Sequence, residues 1–352
     1  MKHTATLLFV LLFIHQFSFA QSNTQQLDSI VQSYHQKYPE ISMSIGFIQD
    51  QQEFYTAYGN LSKESAVKVN KNSVFEIASI TKIITTNLIA QAVHENKLQL
   101  DEYIDVYLPK VYTLHNNIQQ KIKISDLGAH ISGLPDIDFK ELIAQNPQQP
   151  TSSVTQATLT QLINNCTTLT DYGTYRYSTI GYALLGQILE SVYGKSYEEI
   201  VKEKLIAPLQ LTNTLTTDFD VPNKTVGYNV EGGAQDFFTW NILASAGLIK
   251  SNASDLITYI KSLLNEDSIL GKAAILTEKQ FYKDDNRVMG LGLMILNDEA
   301  NTLYLKSGDS IGQSSILCYN RAKNWGIAIL LNHRNHKLRN EILKTIYEVV
   351  LK

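Results

Sequence analysis

The stretch KSGDSIG, residues 306–312, admits two readings, and each demands a different fold. From Gly308 it is G-x-S-x-G, the signature of a nucleophile elbow, with Ser310 on a sharp turn between a strand and a helix. From Lys306 it is K-S-G, a cationic triplet serving a serine elsewhere in the chain. An elbow needs a helix after its serine and partners in the order Ser, acid, His. Beyond Ser310 lie QSSILCY and then WGIAILL, two strand-like runs, with no helical pattern before about Leu338. The order fails as well. No Asp or Glu separates Ser310 from His333 and His336, and the first acid is Glu341. Ser310 therefore reads as a turn residue.

Outward from that stretch, LGLMIL (291–296), TLYLKS (302–307), SSILCY (314–319) and WGIAILL (325–331) form a series of strands with polar turns between them. A helix from Leu338 to Leu351 closes the chain. At the other end a helix opening at Leu27 stops near Pro39. ISMSIGFI (41–48) and EFYTAYG (53–59) come next, as two strands joined by a polar turn. Between about Ser79 and Leu264 the long periodic segments are helical: ITKIITTNLIAQAVHENK, IGYALLGQILESVYG, SYEEIVKEKLIAPL and NASDLITYIKSLLN. The pattern predicts an α+β fold, with one antiparallel sheet built from both chain ends and flanked by the terminal helices. That lobe covers about 21–78 and 265–352, and a mainly helical insertion covers about 79–264. A cleft is expected at the seam between them.

Composition excludes some functions. With 44% hydrophobic residues in 352, the chain can bury a full core. Its charge of 30 − 34 = −4, without a Lys/Arg run, offers no footprint for nucleic acid. Residues 1–20 read as a signal peptide, with Lys2, an apolar stretch from Ala5 to Ile14, and Ser18-Phe19-Ala20 as a small-x-small cleavage site. That stretch is too short to span a bilayer as a helix. The mature chain, 21–352, is expected to begin at Gln21, to be exported to the periplasm or medium, and to keep no stable membrane span. Cys166 and Cys318 show no framework spacing, and the scattered histidines show no metal pattern. Neither metal nor cofactor is expected.

The other candidate nucleophile is Ser79, in S-I-T-K (79–82). Positions i and i+3 share a helix face, so Lys82 can reach the Ser79 hydroxyl. The tetrapeptide alone equally fits an ordinary N-cap and a solvated lysine, and Ser65-Ala66-Val67-Lys68 matches it too. Context favours Ser79, which comes after the strand-like SVFEIA and opens a long apolar helix whose free N–H groups favour a developing oxyanion. Tyr177-Ser178-Thr179 stands just before a second apolar helix, and Lys306 ends a late strand ahead of Gly308, where a substrate backbone could approach closely.

The order S-x-x-K, Y-S-x, K-[ST]-G resembles the serine penicillin-recognising enzymes, and in particular the class C β-lactamase and D-alanyl-D-alanine carboxypeptidase family. LGAHISGLPD (127–136), IAPLQLTNT (206–214), ASAGLIKSNASDL (244–256) and GLGLMI (290–295) sit where that family has similar segments. The resemblance implies a β-lactamase/transpeptidase-like fold and a hydrolase that cleaves an amide or ester through a Ser79 acyl-enzyme. Lys82, Tyr177 and Lys306 would complete the catalytic set. The resemblance leaves open whether Lys82 or Tyr177 is the general base. It places the oxyanion between the backbone N–H groups of Ser79 and Asp309, and a substrate carboxylate on Lys306 and Ser307. One departure is Thr179, where the family usually has asparagine; this puts a substrate contact and a restraint on Lys82 in doubt. His130 is expected to be structural. The substrate would be a small molecule or peptide, such as a D-amino-acid peptide or an ester, with peptidase or esterase activity ahead of dedicated β-lactam degradation. The competing expectation is a catalytically silent penicillin-binding-type protein that senses cell-wall peptides.

Overall fold

The first and last long strands of the chain pair with each other, and everything else is arranged around that junction. The computed structural model describes residues 24–298 and 301–351; the expected leader and its cleavage site lie outside them. After helix α1 (24–37) come β1 (Met43–Gln49) and β2 (Gln52–Tyr58), joined by a turn in which Asp50 and Gln51 both take positive φ. The other strands of the main sheet are β3 (Tyr282–Lys283), β4 (Val288–Met289), β5 (Met294–Asn297), β6 (Thr302–Asp309), β7 (Ser314–Asn320) and β8 (Trp325–Leu331). They form one antiparallel sheet in the order β2-β1-β8-β7-β6-β5-β4-β3. Met43 pairs with Leu331, and the register runs on to Gln49 opposite Trp325.

The central strands read as continuous apolar runs because both of their faces are covered. Met43, Ile45 and Phe47 of β1 pack with Ile327 and Ile329 of β8 under α1 and the C-terminal helix α6 (His336–Ile346). The alternate residues, with Leu317, Ala328 and Leu330, face the helical side. There α2 (Thr81–His94) is buried along one continuous stretch from Thr81 to Ala92, which places it in the interior. It packs against α3 (Ile180–Tyr193) and α5 (Ile269–Thr277).

The α+β class and the sheet from both chain ends are as expected, but the lobe boundary is not. Helix α4 (Ala253–Leu264), expected in the helical insertion, lies against β1 and β8. A Cβ on Gly46 would stand 2.6 Å from Ile257 Cγ1, and one on Gly326 would stand 2.3 Å from Ile260 Cγ2. Two facing glycines let the helix settle onto the strands. Apolar periodicity marks a helix without saying what it packs on, so this placement could not be read from α4 alone.

This contact gives a direct test. Gly326→Ala should destabilise the protein by about 1–3 kcal/mol, the usual cost of an overpacked core. Removing the clashing carbon with Ile260→Ala in the same chain should recover part of that loss, measured as the denaturant midpoint. Additive losses in the double variant would show that the two residues do not meet.

Candidate active site

Ser79 sits in a single 3-10 turn (Ala78–Ile80) that leads into α2. Ala78 before it has φ +44°, a left-handed conformation that an alanine holds only at a cost of order 1 kcal/mol. The turn is pinned by β6. A Cβ on Gly308 would lie 2.1 Å from the Ile77 carbonyl oxygen, so the close approach this glycine permits is to the chain just before Ser79. Ser315 Oγ, on the neighbouring strand, donates to the carbonyls of Ile77 (3.0 Å) and Gly308 (3.2 Å).

Two side chains reach Ser79, and a third stands over one of them. The Tyr177 hydroxyl donates to Ser79 Oγ at 2.7 Å, and Lys82 Nζ approaches the same oxygen at 3.4 Å. Lys82 Nζ also donates to the Ala246 carbonyl at 2.7 Å. Lys306 reaches in from β6, its Nζ 4.7 Å from the centre of the Tyr177 ring; Lys82 Nζ stands 4.9 Å from the same centre. Both lysines are buried, while Tyr177 remains open to solvent and Ser79 is half-buried. Burial pushes the Lys82 ammonium down to about 7, against an upward pull from Asp136. Burial likewise pushes Lys306 down to about 8, with Tyr177 raising it and Lys82 lowering it further. A neutral amine is therefore accessible beside the serine near neutral pH.

The remaining expected residues are placed less uniformly. Thr179 is buried at the N-cap of α3; its N–H donates to Asp136 Oδ2 at 2.6 Å. Its hydroxyl makes no hydrogen bond to Lys82, and the Ala246 carbonyl supplies that restraint. Ser307 is not brought together with the others. The pleat that turns Lys306 toward Tyr177 turns Ser307 to the opposite face, into a cavity with Ile316, Cys318 and Leu343. Asp309 ends β6; its carboxylate accepts from Arg339 Nη1 and Ser314 Oγ, at 2.8 and 2.7 Å. Ser310 is a turn residue whose Oγ accepts the N–H groups of Gly312 and Gln313. Cys166 and Cys318 are both free and buried.

Sequence reasoning missed three supports. The Ala246 carbonyl is a backbone group and leaves no mark in a sequence. Asp136 caps the start of α3 through the N–H groups of Thr179 and Ile180, and the one signal for it was the acid closing LGAHISGLPD. Arg339, a buried cation on α6, also donates to the Gly308 carbonyl at 3.3 Å and so braces β6 from behind. Its signal was a charged residue beside the apolar positions Leu338 and Ile342.

An α+β fold with a Ser-Lys pair one helical turn apart, a tyrosine on the serine and a second lysine on a facing strand defines a class of serine hydrolases. A family model of beta-lactamases matches residues 27–350, and the chain belongs to that family. It is 26% identical over 324 residues to "Protein flp" of Staphylococcus aureus (strain MW2), covering 88% of this chain and 63% of that relative. It thus spans under two thirds of the length of the flp proteins it matches. A Pseudomonas fluorescens beta-lactamase is 25% identical over 277 residues, 76% of this chain and 73% of that protein. Among solved structures, a class C beta-lactamase superposes with TM-score 0.83 at 20% identity, covering 94% of this chain and 96% of that one. A beta-lactamase/D-alanine carboxypeptidase from Pseudomonas syringae gives 0.81 at 21% identity, with 92% and 99% covered. Both establish the β-lactamase/transpeptidase-like fold.

The two lysines set a pH dependence. If Ser79 is acylated with Lys82 as its base, the reaction with a neutral ester should rise with pH through about 7, where the amine becomes neutral. With an anionic substrate it should also fall through about 8, where Lys306 loses its charge. Stability has the matching sign. Between about 7 and the ordinary 10.5, folded Lys82 binds fewer protons than the unfolded chain, so this group makes stability increase with pH. Lys82→Met should abolish acylation yet raise Tm at pH 6. A variant less stable than the wild type at that pH would contradict the burial cost assigned to Lys82.

Proposed function

We propose that the protein hydrolyses esters or amides of small substrates by forming an acyl-enzyme on Ser79. The observation that carries this reading is the Ser79 oxygen held at once by the Tyr177 hydroxyl and the Lys82 amine. In the first step Ser79 Oγ bonds to the substrate carbonyl carbon and its proton passes to neutral Lys82. Tyr177 gives its proton to the departing oxygen or nitrogen and regains one from the Lys82 side. Water then adds to the ester, releasing the acid and restoring Ser79. The N–H groups of Ser79 and Asp309 would receive the oxyanion, and Lys306 would attract a substrate carboxylate.

Esters are the favoured substrates because of Thr179. An asparagine there would offer an amide donor to a substrate amide carbonyl, and its loss costs about 1–3 kcal/mol, or roughly ten- to hundredfold in acylation of amide-bearing substrates. Simple esters lack that group. Export to the periplasm or medium, supported by the leader pattern at 1–20, would bring the site to peptides or esters outside the cell.

Intact-protein mass after treatment with a fluorophosphonate tests the nucleophile. The wild type and Ser310→Ala should gain one adduct and Ser79→Ala none; an adduct on Ser79→Ala would refute the assignment. A wild type that takes no adduct would favour a silent binding protein. For substrate class, kcat/KM should be measured on a nitrophenyl ester and a chromogenic cephalosporin. The ester should be preferred, and Thr179→Asn should raise cephalosporin acylation more than ester turnover. An equal effect on both would remove Thr179 from the explanation.

A further inference from the structure

His130 is buried within reach of the active-site cations, and none of the proposed chemical steps uses it. Its surroundings are built around one neighbour. The His130 carbonyl accepts the Arg176 N–H at 2.8 Å, and its ring Nδ1 accepts the Ser178 N–H at 3.0 Å. Those two bonds bracket Tyr177. The imidazole itself lies against the Tyr177 ring, with centroids 4.5 Å apart and planes inclined by 33°. Behind it, Tyr182 packs at 4.9 Å and is itself fixed by a 2.8 Å bond from its hydroxyl to the Gly128 carbonyl. His130 takes φ +63°, the backbone conformation that lets one residue present both its carbonyl and its ring to the same segment.

We propose that His130 is a positioning residue for Tyr177, a clamp of two hydrogen bonds and one ring face that holds the tyrosine hydroxyl on Ser79. The inference rests on the serine-hydrolase reading of the site. Because Nδ1 accepts a backbone N–H, it carries no proton, and the neutral ring bears its hydrogen on Nε2. That nitrogen is buried without a hydrogen-bond partner among the described residues, so the ring serves as an uncharged wall. Protonating Nδ1 would set one N–H against another and release the clamp. The charged and titratable groups around the ring are Lys82, Lys306, Tyr175, Tyr177 and Tyr182. Burial and the two ammonium groups hold the imidazole well below its usual range, and both effects oppose its protonation.

The discriminating variant is His130→Asn. Asparagine tolerates a left-handed backbone and can place an acceptor where Nδ1 stands, but it has no ring to back Tyr177. Labelling of the full chain by a fluorophosphonate should be measured over time and concentration, with thermal unfolding in parallel. The inactivation rate constant should fall about ten- to hundredfold with the half-saturating concentration little changed, the mark of a misplaced reacting group. The acid limb of the rate should also move to higher pH as water reaches Lys82. In the wild type, nitrogen NMR should show Nδ1 bare and Nε2 protonated from about pH 5.5 to 8, a readout that needs no variant to fold. A folded His130→Asn chain with wild-type rate and acid limb overturns the proposal, and so does an imidazole that titrates across that range. A wild type that takes no label overturns the hydrolase reading instead.

Discussion

The Ile77 carbonyl lies 2.1 Å from where a Cβ on residue 308 would be, and the site depends on that approach. It brings β6, with Lys306, against the turn that carries Ser79, so the sheet and the helices on its inner face meet at that serine. Ser315 fastens the junction from the next strand, and Arg339 fastens it from the far side of the sheet through Gly308 and Asp309. With the junction held on two sides, Ala78 can keep its left-handed conformation. The strain is local, while the contacts that balance it are spread over β6, β7 and α6.

Three buried lysines lie in or beside the site, and their partners separate them by role. Lys250 is paired with the Glu76 carboxylate at 3.1 Å and donates to the Phe238 carbonyl at 2.8 Å. It is a structural cation tying the residues before Ser79 to the 237–240 segment, since breaking such a pair leaves a buried charge uncompensated. Among the described residues, neither Lys82 nor Lys306 has a carboxylate within ion-pair distance. Each instead lies over the Tyr177 ring, whose electron-rich face replaces part of the lost hydration. That replacement is partial, so both amines are left close to giving up a proton. Pairing with a carboxylate would hold both as stable ions; over an aromatic face, burial still pushes each amine below its ordinary range.

Much of this was legible in the sequence. The strands at both ends, the elimination of Ser310 and the spacing of Ser79 to Lys82 all come from local pattern. β3 and β4, two residues each, are too short for any periodicity to register. The lobe to which α4 belongs became visible only with Gly46 and Gly326, small residues whose meaning depends on what lies opposite. Ser307 could have been placed from sequence, because adjacent residues of a strand face opposite ways and Lys306 can point to only one side. The Ala246 carbonyl could not. Restraints supplied by backbone atoms leave no trace in residue identity, and the Lys82 amine is held by one of them.

That division bears on what can change without loss of chemistry. Residue 179 is anchored by its own N–H to Asp136, and the Lys82 amine is held by the Ala246 carbonyl. The side chain at 179 is thus uncoupled from the proton-transfer geometry, although it lies within a few residues of Tyr177. Under the proposed function, a threonine there would alter which carbonyl compounds are gripped without moving Ser79, Lys82 or Tyr177. Recognition and catalysis would then rest on different atoms of the same short segment. The segment's backbone is bonded to His130 and Asp136, and under the proposed function the side chain at 179 is left to set the substrate.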